Sequence, residues 1–164
     1  GYGGTSDSQV VDAQAGMEIA ELALLCLAAG ANLNHDVGYL DFGLTASLEL
    51  IVVVDEYIAM NRKLFAGVEV TPETLAVDVV RDVGPGGDFL SHRQTARQVR
   101  KAQWRPTILN RQGHARWLEE GGLDLKEKAR LKALKLLAEH EPAPLDEAVA
   151  ARIDELVAGF RPGA

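Results

Sequence analysis

Residues 13–29 constrain the fold more than any other stretch. From Ala13 to Ala29 the chain reads as one helix with apolar residues on nearly every face, and Glu18 and Glu21 are its only charges. A helix that is apolar almost all round has to be covered on several sides. Gly30 closes it in the usual C-terminal position. Before it lies Gly1-Tyr-Gly-Gly-Thr-Ser-Asp-Ser8, where glycines allow close backbone approach and Thr, Ser and Asp supply short donors and acceptors. After it, residues 31–36 read as a short strand running into a second loop, Val37-Gly-Tyr-Leu-Asp-Phe-Gly43, that again mixes glycine, aromatic and acid. A plain linker would explain 1–8 alone. The Ser8-Gln-Val-Val-Asp12 continuation and the second loop of like chemistry favour alternating βα units, whose loops gather on one face of a sheet or barrel.

Residues 44–66 are ambiguous. Ile51-Val-Val-Val54 favours a strand by β-branching, whereas a possible Thr45 cap and the spacing of Leu44, Leu48, Ile51, Val52, Met60 and Leu64 favour a helix. The absence of a turn signal before Gly67 decides for helix. Thr71, Pro72 and Glu73 then start a helix carrying Leu75, Val79, Val80 and Val83 inward to Gly84-Pro-Gly-Gly87. Further helices are predicted over 93–102, from an Asn110 cap to Glu120, from an Asp124–Glu127 capping box with the stripe Leu125, Ala129, Ala133, Leu134 and Leu137, and around Val149, Ile153, Leu156, Val157 and Phe160 before a Pro-Gly tail. Glu141-Pro-Ala-Pro144 is a stiff joint. The character changes near Gly67. Residues 1–67 read as late βα units with site loops, and 68–164 as covering helices.

A formal charge of −7 argues against nucleic acid or an anionic membrane surface as the main partner. The Arg93–Arg105 cluster reads as the solvated face of a helix. The single cysteine, Cys26, supports neither a disulfide framework nor a cysteine zinc site, and a reducing cytoplasm is the expected compartment. No signal peptide is visible, and charges interrupt each long apolar run. The sequence opens without Met inside what reads as a site loop, so a piece of a longer protein is expected.

No spacing amounts to a strong catalytic motif. His35–Asp36 beside Asp41 could bind a metal or move a proton, but more simply forms loop hydrogen bonds, and no metal site is expected. Ser6 and Ser8 lack a neighbouring base, His92 could face a site, and Gly84-Pro-Gly-Gly87 lacks phosphate-loop spacing. What remains is a pocket of Tyr2, Tyr39 and Phe42 with Asp7 and Asp41. Aromatic faces with a carboxylate suit an alkylated ammonium ion, which the ring quadrupole attracts without hydrogen bonds. Ordinary loop packing is the alternative.

Thr5-Ser-Asp-Ser-Gln-Val-Val-Asp-Ala-Gln-Ala-Gly16, Gly30-Ala-Asn-Leu33, Gly38-Tyr-Leu-Asp-Phe-Gly-Leu-Thr45, Asp55-Glu56, Glu73-Thr-Leu-Ala-Val-Asp-Val79, Val83-Gly-Pro-Gly-Gly-Asp-Phe-Leu90, His92 with Thr95, and Trp104-Arg-Pro-Thr107 follow in this order. Together they resemble the C-terminal third of the trimethylamine methyltransferase family. The resemblance covers nearly the whole chain and weakens only in the last helices. It implies an α/β fold, the C-terminal part of a TIM-type (β/α)8 barrel, with this portion predominantly helical and its strands few and short. It implies transfer of a methyl group from a methylated amine to the Co(I) of a corrinoid (cobalamin) carried by a partner protein, in one-carbon metabolism, with no cofactor bound by this chain. Pyrrolysine-containing members carry that residue immediately before the Thr-Ser-Asp-Ser run. Here the position is Gly4, which makes the sequence similar to the non-pyrrolysine branch that demethylates quaternary amines such as glycine betaine. A quaternary nitrogen is already an activated leaving group, whereas a tertiary amine needs help.

By that resemblance Gly3 and Gly4 leave room at the barrel mouth where pyrrolysine would stand, and Tyr2, Asp7, His35, Tyr39, Asp41 and Phe42 line the substrate site. The resemblance assigns no catalytic residue. Alone, 164 residues cannot close an eight-stranded barrel. The chain is therefore expected to expose apolar surface over 13–30 and 44–66, to associate with a missing N-terminal barrel segment or with itself, and to be inactive alone. The competing expectation is a non-catalytic helical interaction module of the same ancestry.

Overall fold

The computed structural model describes residues 1–160. The Pro-Gly tail lies outside the described residues. Helix α1 (Ala13–Ala28) starts where Asp12 Oδ1 accepts the Ala15 N–H at 3.0 Å, which satisfies one of the free amides of the first turn. Its inner face, Ala15, Ile19 and Ala23, is buried. The chain is extended on both sides of it. Residues 1–8 and 35–41 run parallel, with bridges from Tyr2 to His35 and from Thr5 to Tyr39. His35 N–H donates to Gly1 O, Gly3 N–H to His35 O, Gly38 N–H to Gly4 O, Ser6 N–H to Tyr39 O and Asp41 N–H to Ser8 O, at 2.9–3.4 Å. Parallel segments need a crossover, and α1 provides it. The strand predicted over 31–36 reduces to the single bridge at His35.

Strands β1 (Tyr39–Leu40) and β2 (Thr45–Ala46) form a short antiparallel pair, Tyr39 opposite Ala46 and Leu40 opposite Thr45, around a tight 3-10 turn at Asp41–Gly43. Helix α2 (Leu48–Phe65) follows, capped by Ser47, whose hydroxyl accepts the Leu50 N–H at 3.2 Å. Thr45 is not the cap, because its backbone belongs to β2. The β-branched run Ile51–Val54 lies within α2. Leu50 and Val54 pack with Ala15, Ile19 and Leu40, and the Tyr57 hydroxyl donates to Ala20 O at 2.8 Å, joining α2 to α1.

Helix α3 (Pro72–Leu75) begins as the sequence predicts, with Thr71 accepting the Thr74 N–H. It does not continue to Val83. Ala76 stands at φ 53°, ψ 31°, and α4 (Val77–Val83) restarts beyond it. The break turns Leu75 and Val80 outward and leaves Val79 as the buried residue of the pair of helices. In α5 (Arg93–Ala102) the Gln98 amide donates to Glu73 Oε1 at 2.6 Å. Asn110 does not cap the next helix. Its Oδ1 accepts the Gln112 N–H at 3.0 Å in a local turn, and α6 (His114–Glu119) starts after Gly113. At α7 (Leu125–Glu139) Asp124 accepts the Glu127 N–H, but the Glu127 side chain turns to Arg130, so half of the expected capping box forms. Ala129 and Ala133 are buried, while Leu125, Leu134 and Leu137 remain exposed.

Residues 1–134 make one compact unit, and the chain from Lys135 makes a second, the division falling within α7. Gly67 lies inside the first unit. The second contains α8 (Glu147–Gly159), capped by Asp146, with Val149, Ile153, Leu156 and Val157 exposed. In the first unit the outer faces of α1 and α2 are uncovered, with Met17 68%, Leu25 57%, Leu48 51% and Leu64 65% exposed. No helix among the described residues is long and apolar enough to cross a membrane.

The irregular segment after α5 is anchored by a buried carboxylate. Glu56, 4% exposed on α2, accepts the N–H groups of Thr107 (2.6 Å), Ile108 (3.0 Å) and Leu109 (3.3 Å) on Oε1 and the Thr107 hydroxyl (2.6 Å) on Oε2. Ile108 is thereby seated against Val52, Ala129 and Ala133. Burial disfavours the charge on Glu56. The Thr107 hydroxyl and the three amides outweigh it and hold the carboxyl below its usual range. A depressed folded pKa contributes stability above the unfolded value of about 4.5, and that stability is lost as pH falls through the lower folded value. Glu56→Gln is expected to cost about 2 kcal/mol at neutral pH, with the gap to the parent closing in acid, as read by denaturant unfolding across the acid range. Ala76→Gly is expected to raise stability by about 0.5 kcal/mol in thermal unfolding, the left-handed penalty less the extra chain entropy of glycine.

Candidate functional site

The parallel pairing of 1–8 with 35–41 sets the two glycine-rich loops side by side. A cleft of about 440 Å³ opens between them, lined by Tyr2, Thr5, Asp7, Asp36, Tyr39, Phe42 and Gly43. Four of the residues singled out in the sequence, Tyr2, Asp7, Tyr39 and Phe42, share this lining. Two others stand beside it. The His35 ring meets Tyr2 edge to face, centroids 4.6 Å apart, and its Nδ1 lies 3.1 Å from Asp36 Oδ1. Asp41 forms the start of the turn, where its carbonyl accepts the Leu44 N–H at 2.9 Å.

Gly3 and Gly4 are buried beneath the cleft, away from open space. A Cβ on Gly4 would stand 2.6 Å from Val37 Cα, and one on Gly3 would stand 3.3 Å from the Asn34 side chain. Their smallness serves the approach of the two extended segments.

The backbone around the cleft is strained. Asp36 (φ 62°), Asp41 (φ 51°) and Phe42 (φ 55°) are three of the four non-glycine residues with positive φ among those described, the fourth being Ala76. Each such residue costs on the order of 1–3 kcal/mol and persists only where its surroundings impose it. Phe42 itself is 72% exposed and belongs to the cleft lining.

Beneath the first loop runs a chain of short polar bonds. Ser6 Oγ donates to Glu18 Oε2 at 2.6 Å, the Asp7 N–H donates to the same oxygen at 2.9 Å, and Gln14 Nε2 donates to Glu18 Oε1 at 2.9 Å. Ser8 Oγ lies 3.0 Å from Asp12 Oδ1, the α1 cap. The Ser6 hydroxyl, then Gln14 and the Asp7 amide, hold the Glu18 carboxyl below its usual range. The Ala15 amide does most to hold the Asp12 carboxyl below its usual range; desolvation opposes it, and the Ser8 hydroxyl adds to the lowering. Thr5 and Glu18 were not singled out in the sequence, and Asp36 was singled out only with His35 as a possible metal-binding or proton-moving pair. Glu18 had one visible signal, being one of two charges on a largely apolar helix.

A larger cleft, about 630 Å³, is formed by residues 103–112 with Glu120 and Lys128. Arg105, Arg111 and Lys128 line it, a chemistry that repels cations. His92 caps α5, its Nδ1 accepting the Gln94 N–H at 3.2 Å, and it lines a separate cleft of about 400 Å³ with Glu73, Arg93, Gln94 and Arg97. Among the described residues no three His, Cys, Asp or Glu side chains gather as a metal site.

The profile of the trimethylamine methyltransferase family matches residues 1–161. The trimethylamine methyltransferase of Desulfitobacterium hafniense (strain DSM 10664 / DCB-2) is 36% identical over 155 residues, covering 94% of this chain and 31% of that protein. That of Methanosarcina thermophila is 35% identical over 144 residues, covering 88% and 30%. The glycine betaine methyltransferase of Desulfitobacterium hafniense (strain Y51) is 31% identical over 157 residues, covering 95% and 33%. The chain thus spans about a third of the length of the curated relatives it matches.

The close contact at Gly4 yields a prediction. Gly4→Ala is expected to destabilise by about 2 kcal/mol, since the neighbour is Val37 backbone and cannot yield, while Gly16→Ala, where a Cβ meets nothing, is expected to be neutral or stabilising. Paired denaturation curves check the contrast.

Proposed function

The chain belongs to the trimethylamine methyltransferase family, and we propose that it forms part of a corrinoid-dependent methyltransferase whose substrate is a quaternary methylated amine of the glycine betaine type. The observation that carries the reading is the cleft between the two loops, with three aromatic rings, Tyr2, Tyr39 and Phe42, and two carboxylates, Asp7 and Asp36, around one opening. Rings and acids together suit an alkylated cation, which offers no hydrogen-bond donor and is attracted by the ring faces. Gly4, in place of the pyrrolysine of the related branch, favours a quaternary over a tertiary amine.

In this reading the methyl acceptor is the Co(I) of a corrinoid carried by a separate protein, which supplies the nucleophile. The work of this chain is to seat the ammonium group against the rings and to balance its charge with Asp7 and Asp36. The substrate's own carboxylate is turned outward, and one methyl is aimed at the partner. Positioning and water exclusion, without overbinding the cation, are the demands such a transfer makes on the protein. We read residues 1–67 as late βα units of a TIM-type barrel and 68–164 as its covering helices, in a cytoplasmic protein. The uncovered faces of α1 and α2 then meet further barrel polypeptide or a second copy, and the chain alone is expected to be inactive. The parallel pairing across α1 and the third-length match to the relatives support this.

Calorimetric titration of glycine betaine into the intact protein tests the reading. Tyr39→Ala is expected to weaken binding about tenfold or more. Phe42→Gly is expected to weaken it too while leaving stability equal or higher, because it removes a ring and its strained backbone together. Full turnover by Tyr39→Ala would sink the aromatic cage.

A further inference from the structure

Asp7 presents a difficulty for any charge-balancing role. Its carboxylate has no hydrogen-bond or ion-pair partner among the described residues; the bond it does accept, from Gln9 Nε2 at 3.0 Å, is to its carbonyl. Its place in the cleft is therefore set by its backbone, and the group that holds that backbone is on α1. We propose that Glu18 is a positioning residue of the cleft, its carboxylate clamping the Ser6–Asp7 peptide and thereby fixing where Asp7 stands against the rings. The role of Asp7 toward a cation rests on the proposed function; the clamp does not.

Three features carry the inference. One Glu18 oxygen takes both the Ser6 hydroxyl and the Asp7 amide, at 2.6 and 2.9 Å, so it grips two consecutive residues. The other oxygen takes the Gln14 amide one turn back, which fixes the rotation of the carboxylate. The direction of the bonds is forced: the Ser8 N–H donates to Ser6 Oγ at 3.0 Å, and Ser6 is 2% exposed, so its hydroxyl proton is free to point only at Glu18. No cation pairs with Glu18 among the described residues, so its bonding is spent on the loop. The carboxylate thereby ties the cleft wall to α1, whose inner face is buried beneath it.

The test compares Glu18→Ala, Glu18→Gln and the remote destabilising variant Val79→Ala in the intact protein, by amide hydrogen exchange and by glycine betaine titration. Glu18→Ala is expected to speed exchange at the Asp7 amide about tenfold or more and to weaken glycine betaine by a similar factor, with protection inside α1 retained. Glu18→Gln, whose amide oxygen still accepts from Ser6 and Asp7 once Gln14 turns over, is expected to keep both near the parent values. Val79→Ala is expected to lower the unfolding temperature without touching Asp7 exchange. Asp7 exchange as slow in Glu18→Ala as in the parent overturns the clamp. Glu18→Gln losing affinity as far as Glu18→Ala while exchange stays slow also overturns it, since Glu18 would then act by charge. If the parent binds no methylated ammonium ion, the proposed function falls and the exchange data still decide the clamp.

Discussion

The backbone pairing of residues 1–8 with 35–41 is the interaction on which the rest of the first unit depends. It brings Gly4 and Val37 so close that no side chain fits between them, with 2.6 Å from the position of a Cβ to Val37 Cα. It also fixes the ends of α1, since the helix must leave at Asp12 and return by His35. Ser6, Ser8 and Leu40, buried on this framework, and Leu50 and Val54 of α2 then have a common surface to pack on. Five ordinary amide bonds, each worth about 1 kcal/mol net, do not explain this by themselves. Their effect is geometric: they convert two distant loops into one site wall.

What stands on that wall is consistent with its cost. Strain at Asp36, Asp41 and Phe42 is concentrated where the rings and acids meet, while the rest of the described backbone carries one further non-glycine outlier, Ala76. Positive φ at Asp41 and Phe42 serves the tight turn between β1 and β2, and the Phe42 ring is left exposed at the cleft lining. The Glu18 network and the Glu56 network solve the same problem at two places. Each is a carboxylate on a helix that accepts a hydroxyl and backbone N–H from an irregular segment, one amide at Glu18 and three at Glu56, and in each the hydrogen bonds favour the ionised acid.

Much of this was legible in the sequence, for physical reasons that differ from element to element. Thr71-Pro72 could be read because capping is local chemistry. Helix α2 could be read in spite of Ile51–Val54 because length outweighs β-branching when no turn intervenes. The meeting of Tyr2, Asp7, Tyr39 and Phe42 followed from placing both loops on one face of a βα unit. Other features were not local. Ser47 displaces Thr45 as cap because Thr45 is taken by a strand pair, and the break at Ala76 has no glycine or proline to announce it. Asn110 bonds forward to Gln112, although composition cannot separate that turn from a helix cap. Gly3 and Gly4, expected by resemblance to leave room at a barrel mouth, are buried, and a Cβ would meet the Asn34 side chain at Gly3 and the Val37 backbone at Gly4. Thr5 and Asp36 complete the lining from inside stretches whose sequence was already marked, and only the fold turns them to the cleft.

The central claim is that this cleft selects for positive charge on a trimethylated group. Titrating the intact protein with glycine betaine and with its carbon isostere, in which a tert-butyl group replaces the trimethylammonium, tests it directly because shape and carboxylate are shared. The account predicts that glycine betaine binds at least about tenfold more tightly, the worth of a desolvated cation against aromatic faces. Equal binding of the two, or preference for the neutral isostere, would contradict it and reduce the cleft to an apolar depression.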